Sequence, residues 1–243
     1  MMIARSNSFR TYHSCIHKHC MHKHGCNSSL PSSKKALHNR HHIGSGIPLV
    51  LYCQENLDLA LQEADHLYEF ELRWHPFPTD PDIPKEGIDK KKHSEEKHGL
   101  AQISETVEMR IGDIFGMSYD GIEYKLSGIM GNPLDYHRLI YFAGEQDHDM
   151  QHDLVDEILL GYFTEEQDIA GREYLVECAG KIGIEGAAEF LEDPNNGLKE
   201  VTEQLEKYSG TKQIPYYVFN GKVNCVGAQP MEVFLRAFEA ATK

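Results

Sequence analysis

The chain lacks most of the features that would mark a membrane or secreted protein. No apolar run approaches the ~20 residues needed to span a bilayer, so no membrane association is expected. No continuous apolar core of ~7–15 residues stands at the N-terminus, so no secretory signal is expected. The six cysteines, Cys15, Cys20, Cys26, Cys53, Cys178 and Cys225, are too few and too scattered for the disulfide framework of a small secreted domain. That favours a reducing compartment. No repeat of solenoid period is visible, and acidic residues are absent from the first 53 positions.

What is present divides by charge. Residues 1–53 hold seven Lys or Arg against no acid, while the remaining 190 hold 17 basic and 38 acidic residues, giving the overall −14. An acidic body repels phosphates, so no nucleic-acid partner is expected. With 243 residues, 40% of them apolar, the chain can bury a sizeable core, and one domain carrying an insertion is the default.

Residues 1–46 are rich in His, Ser, Lys and Cys and show no helical or strand period, which predicts a disordered basic leader. Its Cys15, Cys20 and Cys26, interleaved with histidines, have metal-ligand residue types but neither Cys-x2-Cys nor His-x3-His spacing, so no metal site is assigned. The leader reads as an organelle transit peptide, or as a splice or gene-model product replacing a functional exon.

Beyond it, Ile47 to Tyr52 is a short apolar strand candidate, and Glu55 to Tyr68 is helical with Leu57, Ala60, Leu61 and Ala64 on one stripe. Phe70 to Trp74 alternates Phe70, Leu72 and Trp74 against Glu71 and Arg73, the pattern of a half-buried strand. A Pro-rich loop runs from Pro76 to Pro84. Residues from about 86 to 209 read as mostly helical, with starts or spans at Asn132-Pro133, His148 to Tyr162, Arg172 to Lys181, Glu185 to Leu191 and Leu198 to Tyr208. Asp135 is placed as an approximate capping-box partner of Asn132.

The C-terminal end is the most legible stretch. Tyr216 to Phe219 is a strand, and Asn220-Gly221 is a type I′ hairpin turn because both central positions need positive φ. Lys222 to Val226 returns, Gly227 breaks the strand, and Pro230 heads a closing helix, Met231 to Ala241. Ile214-Pro215 precedes the first of these strands, where a proline at the entry to an edge strand removes no ladder donor.

These words, Ile214-Pro215-Tyr216, Asn220-Gly221-Lys222 and Gly227-Ala228-Gln229, together with Phe70 to Trp74 and Asn132 through His137-Arg138-Leu139, resemble the DsbA-like thioredoxin family in its FrnE-type branch, over roughly residues 55–243. The resemblance implies an α/β fold: a thioredoxin-like domain over 47–243 with a large helical insertion at about 86–209. It also implies that the Ile214-Pro215 bond is cis and faces an active-site dithiol between the first strand and first helix. Thiol-disulfide chemistry needs a thiolate at a helix N-terminus, where unpaired N–H groups lower its pKa, and a second cysteine to resolve the mixed disulfide.

The chain holds no Cys-x-x-Cys. Cys53 stands alone at the expected junction, as a surviving monothiol or as an unrelated cysteine beside a damaged motif. As a helix cap its pKa is expected slightly below the free value of ~8.5. Cys178 and Cys225 read as core residues. His75, His137 and Arg138 read as packing, solvated or capping groups.

The resemblance therefore implies an oxidoreductase acting on thiol- or disulfide-containing proteins or small molecules. Its activity would be weak or glutathione-dependent, with Cys53 as candidate nucleophile and Ile214 and Pro215 as substrate-binding residues. No cofactor is expected, glutathione serving as co-substrate, and a homodimer is compatible. The alternatives are a non-catalytic module that binds a peptide or glutathione, and an inactive splice form. A cytoplasmic location is expected, or an organelle if the leader targets it.

Overall fold

The computed structural model describes residues 35–43, 49–77, 83–84, 87–93, 125, 127–210 and 215–243. Four strands form the main sheet: β1 (Lys35–Ile43), β2 (Tyr68–Pro76), β5 (Tyr216–Phe219) and β6 (Val223–Val226), in the order β2-β1-β5-β6. β1 and β2 run parallel, Lys35 opposite Tyr68 and Ile43 opposite Pro76. A parallel pair needs a crossover, and α1 (Leu49–Ala64) supplies it. β5 lies antiparallel to β1, with Asn39 opposite Phe219, and turns back into β6.

The hairpin follows its sequence signal. Asn220 and Gly221 both take positive φ, 49° and 67°, and Lys222 N–H donates to the Phe219 carbonyl at 3.0 Å. Phe219 pairs with Val223, so Lys222 belongs to the turn and not to the return strand.

Two expectations at the N-terminal side are corrected. Lys35–Ile43, inside the segment expected to be a disordered leader, is a strand paired on both sides. Ile47 to Tyr52 is not the first strand, since Leu49 to Tyr52 open α1. A short apolar run fits strand and helix equally well. What distinguishes it is continuity with the helical stripe Cys53, Leu57, Ala60, Ala64, which is buried. The polar β1 sequence is strand because two neighbours satisfy its backbone groups, a contextual gain that propensity does not carry. Residues 1–34 lie outside the described residues.

Two cores follow. One joins β1 (Leu37), β2 (Leu72), β5 (Tyr217, Phe219) and β6 (Cys225) to α1 and to α7 (Met231–Ala241), whose Phe234, Ala237 and Phe238 are buried. The other is helical: α2 (Leu134–Gln146), α3 (His148–Thr164), α4 (Arg172–Ile182) and α5 (Ala187–Glu192), with α6 (Leu198–Lys207) against α2 and β2. A small antiparallel pair, β3 (Ile88–Asp89) and β4 (Ile129–Met130), lies between β2 and α2 in the chain. This is the expected α/β thioredoxin-like fold with a helical insertion.

Caps fix the insertion. Asp147 accepts from the Asp149 and Met150 N–H groups at 2.8 and 2.9 Å, starting α3. Asn132 Oδ1 accepts from Leu134 N at 3.0 Å, starting α2. Asp135 does not complete a capping box; it binds the buried Arg138 at 2.6 Å. Arg138 also donates to the carbonyls of Asn196, Phe190 and Asp193, tying α2 to the turn after α5. Among the described residues no helix is long and apolar enough to cross a membrane.

Candidate functional site

The parallel strands β1 and β2 end near Ile43 and Pro76, and α1 begins just after β1. In open α/β sheets, ligands bind beyond the C-terminal ends of such strands, and α1's first turn and the strand head at Pro215 lie there, where the resemblance implies a thiol site. Leu49, Val50, Leu51 and Tyr52 occupy that turn. Cysteine is absent from it.

Cys53 lies further along α1 than expected, on the stripe that faces the sheet core, and is 0% exposed. The Tyr217 hydroxyl and the Gln229 backbone lie against its sulfur and favour a thiolate, but burial outweighs them and pushes the pKa up to about 12. The expected slight depression is therefore replaced by a large rise. A helix N-terminus activates a thiol only through N–H groups left unpaired, and Cys53 sits past them in the dry core. Cys178, in the helical core, is pushed up to about 11, first by burial, and Cys225 is raised by burial too. Both are core residues, as their setting in a helix stripe and a strand suggested.

Pro215 is buried at the head of β5, and its carbonyl accepts from the Gly227 N–H at 2.8 Å. β5 lies inside the sheet, between β1 and β6, and is not the edge strand expected from the proline. Pro215 is accommodated because it precedes the first ladder residue. Ile214, and with it the expected cis bond, lies outside the described residues.

A second group of residues meets beside α1's other flank. Trp74, near the end of β2, donates its indole N–H to His152 Nδ1 of α3 at 3.1 Å, with ring centroids 5.5 Å apart and planes 18° from parallel. His152 Nε2 lies 3.1 Å from Asp58 Oδ1 of α1 and 3.9 Å from Asp156 Oδ2. The neighbouring Gln151 holds the Trp74 backbone: its Oε1 accepts from Trp74 N at 2.9 Å, while its Nε2 donates to the Ile140 carbonyl at 2.9 Å. Burial disfavours a charge on His152, but Asp156, Asp58 and Asp153 outweigh it and push the imidazole up to about 10. Burial raises Asp156 well above the usual carboxylate range, against the pull of His152, and its Oδ1 has no hydrogen-bond partner. Glu55, a turn before Asp58, is pushed up to about 7 by burial and then by Asp58.

Asp58, His152 and Asp156 each offer one ligand atom, and these atoms lie within 4.8 Å of one another. They do not fit a metal ion. An indole N–H only donates, so His152 Nδ1 must carry its lone pair and Nε2 the proton, and a protonated Nε2 cannot ligate.

The sequence reading did not find this group. Its one local signal is His152 and Asp156, four apart on α3 and so on one face; Asp58 and Trp74 are 94 and 78 residues away from His152. His75 binds Gln204 at 2.7 Å, and His137, buried in α2, is pushed down to about 4 chiefly by burial. Arg138 is structural. None of the three joins the Cys53 or Pro215 surroundings through a hydrogen bond described above.

The family model of the DSBA-like thioredoxin domain matches residues 53–239. Among solved structures, a probable DsbA oxidoreductase from Streptomyces coelicolor is 24% identical, with a TM-score of 0.74 over 84% of this chain and 89% of its own. A 2-hydroxychromene-2-carboxylate isomerase is 12% identical, TM-score 0.59, over 84% and 95%. The cytosolic disulfide reductase DsbM from Pseudomonas aeruginosa, solved with GSH, is 16% identical, TM-score 0.51, over 85% and 95%. At these identities the likeness is one of fold. A comparison with curated proteins gives no match.

Proposed function

The chain belongs to the DSBA-like thioredoxin domain family, and from that premise we propose that it is a binding member of the family, holding a thiol- or disulfide-containing peptide or glutathione near Pro215 without exchanging disulfides. The observation that carries this reading is the state of Cys53: 0% exposed, with its pKa pushed up to about 12. At neutral pH such a thiol is almost wholly protonated, and the thiolate is the nucleophile. All three cysteines among the described residues are buried, and none occupies the first turn of α1.

The contrary features are the Tyr217 hydroxyl and the Gln229 backbone beside Cys53. They favour a second reading, slow glutathione-dependent monothiol chemistry, which requires the core around Cys53 to open first. The FrnE-type branch and the use of glutathione belong to the proposal.

The test uses the full chain. Glutathione and a cystine-containing peptide are titrated by calorimetry, and insulin reduction is measured beside them. Binding without turnover, with Cys53 unreactive to iodoacetamide at pH 8 until urea unfolds the domain, supports the binding module. Turnover lost in Cys53→Ser establishes the monothiol enzyme instead. Turnover retained in that variant but lost when Cys15, Cys20 and Cys26 are replaced by Ser places the chemistry in the leader.

A further inference from the structure

Protonation decides what Trp74 can hold. The indole bond requires a neutral His152, with Nδ1 bare and Nε2–H directed at Asp58. A second proton can enter only at Nδ1. There it forms an N–H bond facing the indole N–H, and two donors cannot share one hydrogen bond. The imidazolium therefore keeps Asp58 and gains from Asp156, but loses Trp74. The neutral ring keeps Trp74 and leaves both carboxylates with a weaker partner.

We propose that Trp74, His152, Asp58 and Asp156 form a proton-operated latch between the sheet and the helical insertion, closed while His152 carries one proton and released when solvent supplies a second at Nδ1. This rests on no assumption about thiol chemistry. The moving part is small, because Gln151 clamps the Trp74 backbone from the same helix in either state. What changes is the indole, which belongs to the helical core although its strand belongs to the sheet.

The groups facing His152 come from three elements. α1 presents Asp58, with Glu55 behind it. α3 itself presents Asp156 and Asp153, with Glu157 near Asp156. β2 presents Trp74. From α2, the buried Tyr136 stands near Asp156. The carboxylates stabilise the imidazolium, whereas burial and the indole stabilise the neutral ring. The carboxylates outweigh burial and push the imidazole up to about 10, so the latch closes on the alkaline side of neutrality. His152 keeps 18% of its side chain exposed, a route for the solvent proton.

The chain has one tryptophan, so its single indole N–H resonance reads the latch directly in the ¹⁵N-labelled full chain. Between pH 7 and 11.5 the expected result is one titration of that resonance, matched by the ¹⁵N shifts of one imidazole that carries its proton on Nε2 at the alkaline end. Asp156→Asn should move the midpoint down by about a unit, and His152→Gln should abolish the titration. An indole resonance that does not move, an Nδ1–H tautomer at high pH, or a titration surviving in His152→Gln would each overturn the latch. So would zinc binding at Nε2, read as loss of that imidazole's titration on adding the metal. The wild-type titration alone decides the tautomer if a variant does not fold.

Discussion

Helix α1 carries two environments on adjacent stripes. Cys53, Leu57, Ala60 and Ala64 face the sheet and α7 in a dry core, where a titratable thiol is pushed out of the range in which it reacts. One position round from Leu57, Asp58 faces α3 and meets the His152 imidazole, which also stands beside the Asp156 carboxyl and accepts from the Trp74 indole N–H. The sheet flank is sealed from water, whereas the α3 flank keeps 18% of the His152 side chain exposed. The difference lies in partners: a buried ionisable group alone is driven neutral, while one met by opposite charge and donors keeps its proton in play. Reactivity in this fold depends on which flank of α1 a residue occupies.

The largest test removes the frame both flanks share. A chain shortened to begin at Ile47 loses β1, leaving β2 and β5 without their common partner. It should show no cooperative unfolding transition by circular dichroism. A folded product would mean that β1 is not the centre of the sheet.

Next is Arg138→Ala. Its guanidinium, 1% exposed, bonds Asp135 and three carbonyls of the helical side. Removing it leaves buried acceptors unmet, and urea unfolding should show a loss of ~3–5 kcal/mol. A loss below ~1 kcal/mol would mean that water reaches those carbonyls.

The comparison is sharpest between Leu57→Ala and Asp58→Asn, neighbours on opposite flanks. The first should cost ~2–5 kcal/mol by leaving a cavity in the dry core. The second keeps the shape and should cost about 1 kcal/mol, while lowering the His152 midpoint. Equal losses, or a His152 midpoint unchanged by Asp58→Asn, would erase the distinction.

The smallest effect is expected at Glu55. Its folded pKa, about 7, lies above its ordinary 4.5, so the folded state binds this proton more tightly than the unfolded chain. The stability it contributes is full below pH 4.5 and is lost as pH rises through 7. Glu55→Gln should remove that loss, raising stability at pH 8 by less than about 1 kcal/mol, since the site is partly open to solvent screening. At pH 4 it should change nothing. A gain at pH 4 instead would reverse the sign of the argument.

Much of this was readable in one dimension. The hairpin at Asn220-Gly221 and the closing helix from Met231 to Ala241 appear where the turn residues and Pro230 put them. The helices of the insertion begin at His148, Arg172 and Leu198, as capping and periodicity indicate. β1 was not readable, because Lys35–Ile43 is polar and becomes strand through pairing with residues about 33 and 180 positions away. The error at Cys53 followed from it. With Ile47 to Tyr52 read as the strand, the helix is expected to start after it and the thiol to cap it.

The sequence by itself determined most helices, the C-terminal hairpin, the family and the absence of a Cys-x-x-Cys motif, because turn chemistry, helical periodicity and spacing act between residues a few positions apart. Only the tertiary structure decided that Cys53 is sealed into the sheet core, that Pro215 heads an interior strand, and that Trp74 meets His152 and Asp58. Burial and proton sharing depend on neighbours from distant segments. A thiol's pKa and an imidazole's tautomer are set by those neighbours, not by the residue's own position in the chain.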